Sequence, residues 1–341
     1  MRLLVVGDLG WHNGSSHVVR EYVRHAADAG VEIRVSSQFG KRDEVIAGLL
    51  PFCDDATWAT HALVVYEGFP YLSGEDVERL DAAVPRDRRA VVDADGHWGD
   101  RVAVGDDDNT WPCGREEWRD HLRAAGEIVL QPALGRPPDG ATEFPYFGLP
   151  ARRRAAVWPR RKLHVQYVGS NWFRADQVLG LMSAARAGLG DEARLRVCGT
   201  YWDGSHMDGF ESATSVDPGR LADIGVEVLP PVPFGQVIGR MGDAMLTPVL
   251  VRPVLGALGL LTPRMLETLA ADTIPVYRPE DEHIAELYGD ERLAVATPDD
   301  VARAVRDRNR LAKSARGIHR RLSEHFSYPV LLRRLRSLLT V

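Results

Sequence analysis

The stretch Leu261-Thr262-Pro263-Arg264-Met265-Leu266-Glu267-Thr268-Leu269-Ala270-Ala271-Asp272-Thr273-Ile274-Pro275-Val276 constrains this chain more than any other. It reads as loop, helix and short buried strand. Pro263 suits a first helical turn, and Thr262 before it is a candidate N-cap. A helix start offers N–H groups and the positive end of a dipole, which together suit a phosphate. Arg264 adds a fixed cation beside it. Glu267 stands about one turn on, on the same rim, where a carboxylate can accept hydrogen bonds from a ribose diol. A diphosphate beside a ribose points to a sugar nucleotide.

The rest of the chain alternates short apolar runs with helix-period stretches. Arg2–Gly7, Val31–Ser36, His61–Tyr66, Ala90–Asp93 and Glu127–Gln131 read as strands. Ser15–Ala29, Asp43–Leu50, Gly74–Ala83 and Arg115–Ala125 between them read as helices. Repeated units of this kind predict a parallel, doubly wound α/β sheet. A Pro- and Gly-rich segment at Gly135–Gly140 and a basic run from Arg152 to Lys162 follow, and an interdomain linker is expected within Pro150–Arg161. The alternation then restarts. Strands are expected at Leu163–Val168, Ala193–Cys198, Val226–Leu229, Ala244–Val249 and Ile274–Tyr277. Helices are expected at Arg174–Ala187, Phe234–Met241, Arg264–Ala271, Asp281–Leu287 and Pro298–Arg306. Thr200–Gly219 reads as a long loop, of a length that is often functional.

Bulk properties narrow the function classes. The chain of 341 residues is long enough for two domains, and 45% hydrophobic with 26% charged residues is ordinary for a soluble protein. A net charge of −6 argues against nucleic acid or an anionic membrane as partner. No apolar run is long enough to span a membrane, and the first residues read as a strand, not a signal peptide. Cys53, Cys113 and Cys198 are scattered, which suits a reducing cytoplasm and not a disulfide framework or a metal site. Arg, Ala, Gly and Asp are favoured over lysine, the bias of a high-GC genome. A bacterial origin and a role in natural-product or surface-glycan assembly fit that composition.

The pattern T-P-R-x-x-E-x-x-A-x-x-x-x-P, from Thr262 to Pro275, with Gly225-Val-Glu-Val-Leu-Pro-Pro-Val-Pro-Phe upstream, resembles the donor half of GT-B glycosyltransferases. It is most similar to the spore-maturation (CgeB-like) group and, more distantly, to group 1 families with an E-x7-E motif. The resemblance implies two Rossmann-like, doubly wound domains facing across a cleft. Residues 1–155 would form an acceptor domain and 160–326 a nucleotide-sugar donor domain. A terminal helix, 327–341, would pack back on the first domain. The first Glu of E-x7-E falls on Gly259, which leaves the donor sugar unidentified and weakens the inference of retention.

Further candidates follow from strand ends. Gly169, Ser170, Asn171 and Arg174 close a strand and open a helix, so Ser170 and Asn171 can donate or cap and Arg174 can neutralise a leaving diphosphate. Asp93, Asp95 and His97 end a first-domain strand. The resemblance places a His there against the reacting sugar, with a carboxylate orienting it or binding acceptor. Asp93-Ala94-Asp95 is also the D-x-D with which single-domain GT-A enzymes hold a metal. The glycine-rich turn Gly7–Ser16 is not G-x-G-x-x-G, so a nicotinamide or flavin fingerprint fails. Asp8, His12 and Asn13 there can meet acceptor hydroxyls, and His12 can act as base. Asp106-Asp107-Asp108-Asn109 is a weaker acceptor candidate. Trp11, Trp98, Trp111 and Trp172 fall in expected cleft loops, where aromatic faces suit sugar or base stacking.

The expected activity is transfer of a sugar from a nucleotide donor to a small or glycan acceptor, without cofactor or metal and with retained configuration. A binding protein that has lost catalysis, a GT-B epimerase and a pseudo-glycosyl C–N coupling enzyme are the alternatives.

Overall fold

Leu3, Leu4, Val5 and Val6 are fully shielded from solvent, as a strand covered on both faces requires. The computed structural model describes residues 1–7, 14–39, 50–67, 71–104, 107–108, 115–135, 137–153 and 163–340. Its first half contains β1 (Arg2–Gly7), β2 (Glu32–Ser36), β3 (Phe52–Cys53), β4 (His61–Tyr66) and β5 (Arg89–Asp93). A hairpin of β6 (Ala103–Val104) and β7 (Asp107–Asp108) follows, then β8 (Ile128–Gln131) and β9 (Ala141–Glu143). Helices α1 (Gly14–His25), α2 (Gly74–Ala83) and α3 (Arg115–Ala125) intervene. The sheet order is β3-β2-β1-β4-β5-β8-β9, with every pair parallel.

The second half forms its own parallel sheet in the order β12-β11-β10-β13-β14. Its strands are β10 (Leu163–Val168), β11 (Leu195–Cys198), β12 (Val226–Leu229), β13 (Ala244–Pro248) and β14 (Ile274–Val276). Around them lie α4 (Ala175–Leu189), α5 (Glu211–Thr214), α6 (Pro218–Asp223), α7 (Phe234–Met241), α8 (Pro253–Ala257) and α9 (Pro263–Ala270). Helices α10 (Glu282–Tyr288), α11 (Pro298–Arg306), α12 (Arg308–Phe326) and α13 (Tyr328–Leu339) complete the chain. Strand order reverses between β1 and β4 in one sheet and between β10 and β13 in the other. Crevices at such switch points are where open α/β sheets bind ligands.

Helix α13 returns to the first sheet's side. Leu331, Leu332, Leu335 and Leu339 are buried, each stabilising by about 1.5–3 kcal/mol. Tyr328 packs edge-on to Tyr22 of α1 at 5.6 Å, and Arg336 donates to the carbonyl of Ala29 at 2.8 Å. Where the chain crosses back, Leu149 N donates to Phe326 O at 2.7 Å, and Leu149 forms a parallel bridge with Ser327. No helix of the described residues is long and apolar enough to cross a membrane.

Several expectations shift. The helix expected over Ser15–Ala29 stops at His25, and a 3-10 turn, Ala27–Ala29, closes on left-handed Gly30. The helix at Asp43–Leu50 falls almost wholly outside the described residues. Thr200–Gly219 is not one loop. Trp202 is buried and donates to Gly169 O at 2.7 Å, and α5 and the start of α6 follow. The long α12 was not anticipated. Its frequent arginines and histidines dilute the apolar stripe of Leu311, Ala315, Ile318 and Leu322 that it buries.

Candidate functional site at the interdomain cleft

The donor-side turn is built by close backbone approach. A Cβ on Gly199 would stand 2.0 Å from Gly169 O, so only glycine lets the β11 turn lie against the β10 turn. Asn171 is fully buried. Its amide donates to Thr214 O at 2.7 Å and Ser215 O at 3.2 Å, and its Oδ1 accepts from Arg174 N at 3.3 Å. Asn171 thus braces the turn that leads into α4 and ties it to α5. The Arg174 guanidinium donates to Trp172 O at 3.0 Å and reaches Leu250 O at 3.4 Å, across the crevice between β10 and β13.

Helix α9 starts one step away. Thr262 holds the N-cap position, yet its hydroxyl makes no capping bond. Met265 N bonds the Thr262 carbonyl instead, at 3.2 Å. The hydroxyl is buried and has no partner among the described residues. The expected side-chain cap is therefore not made, and an oxygen able to donate is left at a helix N-terminus. Arg264 and Glu267 form an ion pair with each other on the first turn, and Glu267 is 5% exposed.

On the opposite side, the turn after β5 hangs on Asp93. This buried carboxylate accepts from His97 N at 2.9 Å, Trp98 N at 2.8 Å and Gln131 Nε2 at 2.8 Å. Both oxygens are thereby engaged in shaping the turn. His97 is 4% exposed and lies flat on Trp118 of α3, with ring centroids 3.8 Å apart and planes within 3°. Asp95 points the other way, and Arg252 at the start of α8 reaches it at 3.9 Å. Gly96, at φ 79°, has no room for a side chain, since a Cβ would strike Leu258 at 2.7 Å and Leu260 at 3.0 Å. Beside it, Leu261 N donates to Pro132 O at 2.7 Å and Leu134 N to Gly259 O at 3.2 Å, an antiparallel bridge joining the two halves. His17 of α1 stacks on Phe234 of α7 at 5.9 Å, a further contact between the two halves.

Comparison with known proteins bears on the fold. No family model matches the sequence, and no curated protein does. Solved structures do. The T4 phage β-glucosyltransferase bound to UDP-glucose superposes with a TM-score of 0.62 at 12% identity over 100% of both chains. The Anabaena protein HepE in complex with UDP gives 0.61 at 10% identity, also over 100% of both. The glycotransferase of kitacinnamycin gives 0.51 at 15% identity over 99% of this chain and 98% of that one. The fold is GT-B.

In the GT-B frame the sequence-derived residues sort into groups. Gly169, Ser170, Asn171, Arg174, Thr262, Arg264 and Glu267 all belong to turns or helix starts at the carboxyl ends of the second sheet. Asp93, Asp95 and His97 lie on one turn of the first. The D-x-D carboxylates diverge, Asp93 into its own turn and Asp95 toward Arg252, and the second sheet has no place in a single-domain GT-A plan. His12, Asp8, Asn13, Trp11, Trp111, Asp106, Asn109 and Cys113 lie outside the described residues. Among the described residues the only three-group cluster with metal-ligand spacing is His206, Asp208 and Glu211, all exposed on the β11–α5 connection.

Sequence reasoning missed Arg252, Trp118 and Gln131. Arg252 had a signal, because Arg252-Pro253 repeats the polar-residue-then-proline start of Thr262-Pro263. Trp118 and Gln131 had none, since each acts through a neighbour distant in sequence.

Proposed function

We propose that this chain transfers a glycosyl group from a nucleoside diphosphate sugar to an acceptor hydroxyl in the cleft. The observation that carries the reading is the Thr262 hydroxyl, buried and unpartnered at the start of α9 beside Arg264 and Glu267. A buried polar group without a partner costs about 1–3 kcal/mol, and a phosphate oxygen at that helix start would relieve it. Glu267 would exchange its contact with Arg264 for the ribose diol. Ser170, the Gly169 turn and Arg174 would face the diphosphate from the other side, with Asn171 shaping their turn. Fixed cations and a helix dipole then stabilise the leaving group as its charge grows, the role a metal fills elsewhere. Uridine is the preferred base, because the T4 phage enzyme and HepE are both found with UDP or UDP-glucose.

Two stereochemical readings remain, each with its support. The T-P-R-x-x-E resemblance favours retention. Asp95, a carboxylate directed at the donor half, supplies the base that inversion needs. The product anomer, read by NMR, separates them.

The test is thermal shift against nucleoside diphosphates and their sugars. A ligand at 100 times its Kd adds about 2.7 kcal/mol. A shift with one diphosphate, lost in Arg264→Ala and Glu267→Ala, is expected; no shift with any of them overturns the donor site. Binding without transfer or hydrolysis identifies a binding protein instead, and conversion of donor without acceptor identifies an epimerase.

A further inference from the structure

We propose that Trp118, on α3, is the positioning residue that fixes the ring of His97 for transfer. The inference rests on the reading of His97 as the group that faces the reacting sugar. The two rings are parallel within 3° at 3.8 Å, and Trp118 is 0% exposed. Buried tryptophans usually give their N–H a partner. The Nε1 of Trp118 has none among the described residues. Among the described residues, ring contacts and not a hydrogen bond orient the indole. Tyr66 of β4 meets it edge-on at 5.9 Å and holds it against sliding. The main chain of His97 is held independently, by Asp93, which is in turn held by Gln131. Backbone and ring of one residue are thus fixed by two separate devices from three elements. A side chain that needed only to fill the core would need neither.

Among the described residues, the charged groups on the elements that carry the two rings include Asp93 on β5, Asp95 on the same turn, Arg119 of α3, which donates to Trp98 O at 2.9 Å, and Arg123 of α3, which lies over the Trp98 ring at 5.2 Å. These charges are of both signs, and none of these contacts is made through Trp118.

The experiment compares Trp118→Phe, which keeps an aromatic face, with Trp118→Met, which fills the space without one, alone and combined with His97→Ala. Trp118→Phe should stay near wild type. Trp118→Met should lower kcat by about 100-fold, the cost of a small misplacement, at unchanged donor Kd. In the His97→Ala background, Trp118→Met should have no further effect. Equal losses with and without His97, or full kcat in Trp118→Met, would overturn the proposal. Full activity of His97→Ala alone would overturn the role of His97 instead. Should Trp118→Met not fold, histidine NMR of the wild-type chain decides. The stack requires a ring-current-shifted resonance that disappears in His97→Asn, and its absence would exclude the stack.

Discussion

Arg252 stands 3.9 Å from Asp95, a guanidinium from the second half of the chain against a carboxylate from the first, each side chain 14% exposed. The pair lies beside the Ala133–Leu260 bridge and the Gly96 contact, so it belongs to the contacts that join the two halves. Arg252→Ala and Asp95→Asn should each lower kcat/KM. The double variant should lose less than the sum, with a coupling of about 0.5–3 kcal/mol. Strict additivity would show that the two residues act independently.

Thr262 should behave unlike an ordinary N-cap. Removing a capping hydroxyl usually costs about 1 kcal/mol. Here the hydroxyl caps nothing, so Thr262→Val should leave chemical denaturation unchanged or slightly stabilise the fold. Nucleotide binding should weaken about tenfold, the value of one hydrogen bond to a charged oxygen. A destabilised Thr262→Val with normal nucleotide affinity would mean that the hydroxyl serves the helix alone.

His319 links stability to pH. Its Nε2 lies 3.1 Å from the carbonyl of Pro150. Burial, aided by Arg152, lowers its pKa below the ordinary 6.5, while the Pro150 carbonyl opposes the shift. His164 and His283 are lowered mainly by burial as well. The unfolded chain therefore binds more protons as pH falls below 6.5, and the stability is full above that value and is lost on acidification. Tm should fall between about pH 7.5 and 5.5, and His319→Gln should flatten part of the slope. A slope identical to wild type would remove His319 from the linkage.

Chelation tests the electrostatic reading of the leaving group. With Arg174, Arg264 and the α9 dipole supplying positive charge, EDTA should leave the transfer rate unchanged. His206→Ala should be silent too. A rate abolished by EDTA and restored by manganese would assign the leaving-group role to a metal.

How much of this was legible in the sequence depends on how local the signal is. Phe234–Met241, Gly74–Ala83 and Pro298–Arg306 emerge with the bounds that periodicity and caps predict, because turn chemistry and apolar spacing sit within each segment. The strand β9 and the helix α8 did not emerge. Ala141–Glu143 is half-exposed and short, and Pro253–Ala257 is barely one turn. The site divides the same way. Arg264 and Glu267 are neighbours on one helix, and their pairing follows from spacing. That Asp93 would turn inward on His97 N and Gln131, while Asp95 turned outward to Arg252, depends on which strand lies beside β5, and a D-x-D string does not encode that.

The hydrogen bond between Leu149 and Phe326 has a kinematic consequence. The chain passes from the first half to the second after Leu149 and comes back after Phe326, and those two passages touch. That crossing adds to the Ala133–Leu260 bridge, the Asp95–Arg252 pair and the His17–Phe234 stack, so the halves are joined at several separated places. Swinging the halves apart about the crossing would therefore have to break the backbone hydrogen bonds of the Ala133–Leu260 bridge. The Asp95–Arg252 pair, beside that bridge, would part with it.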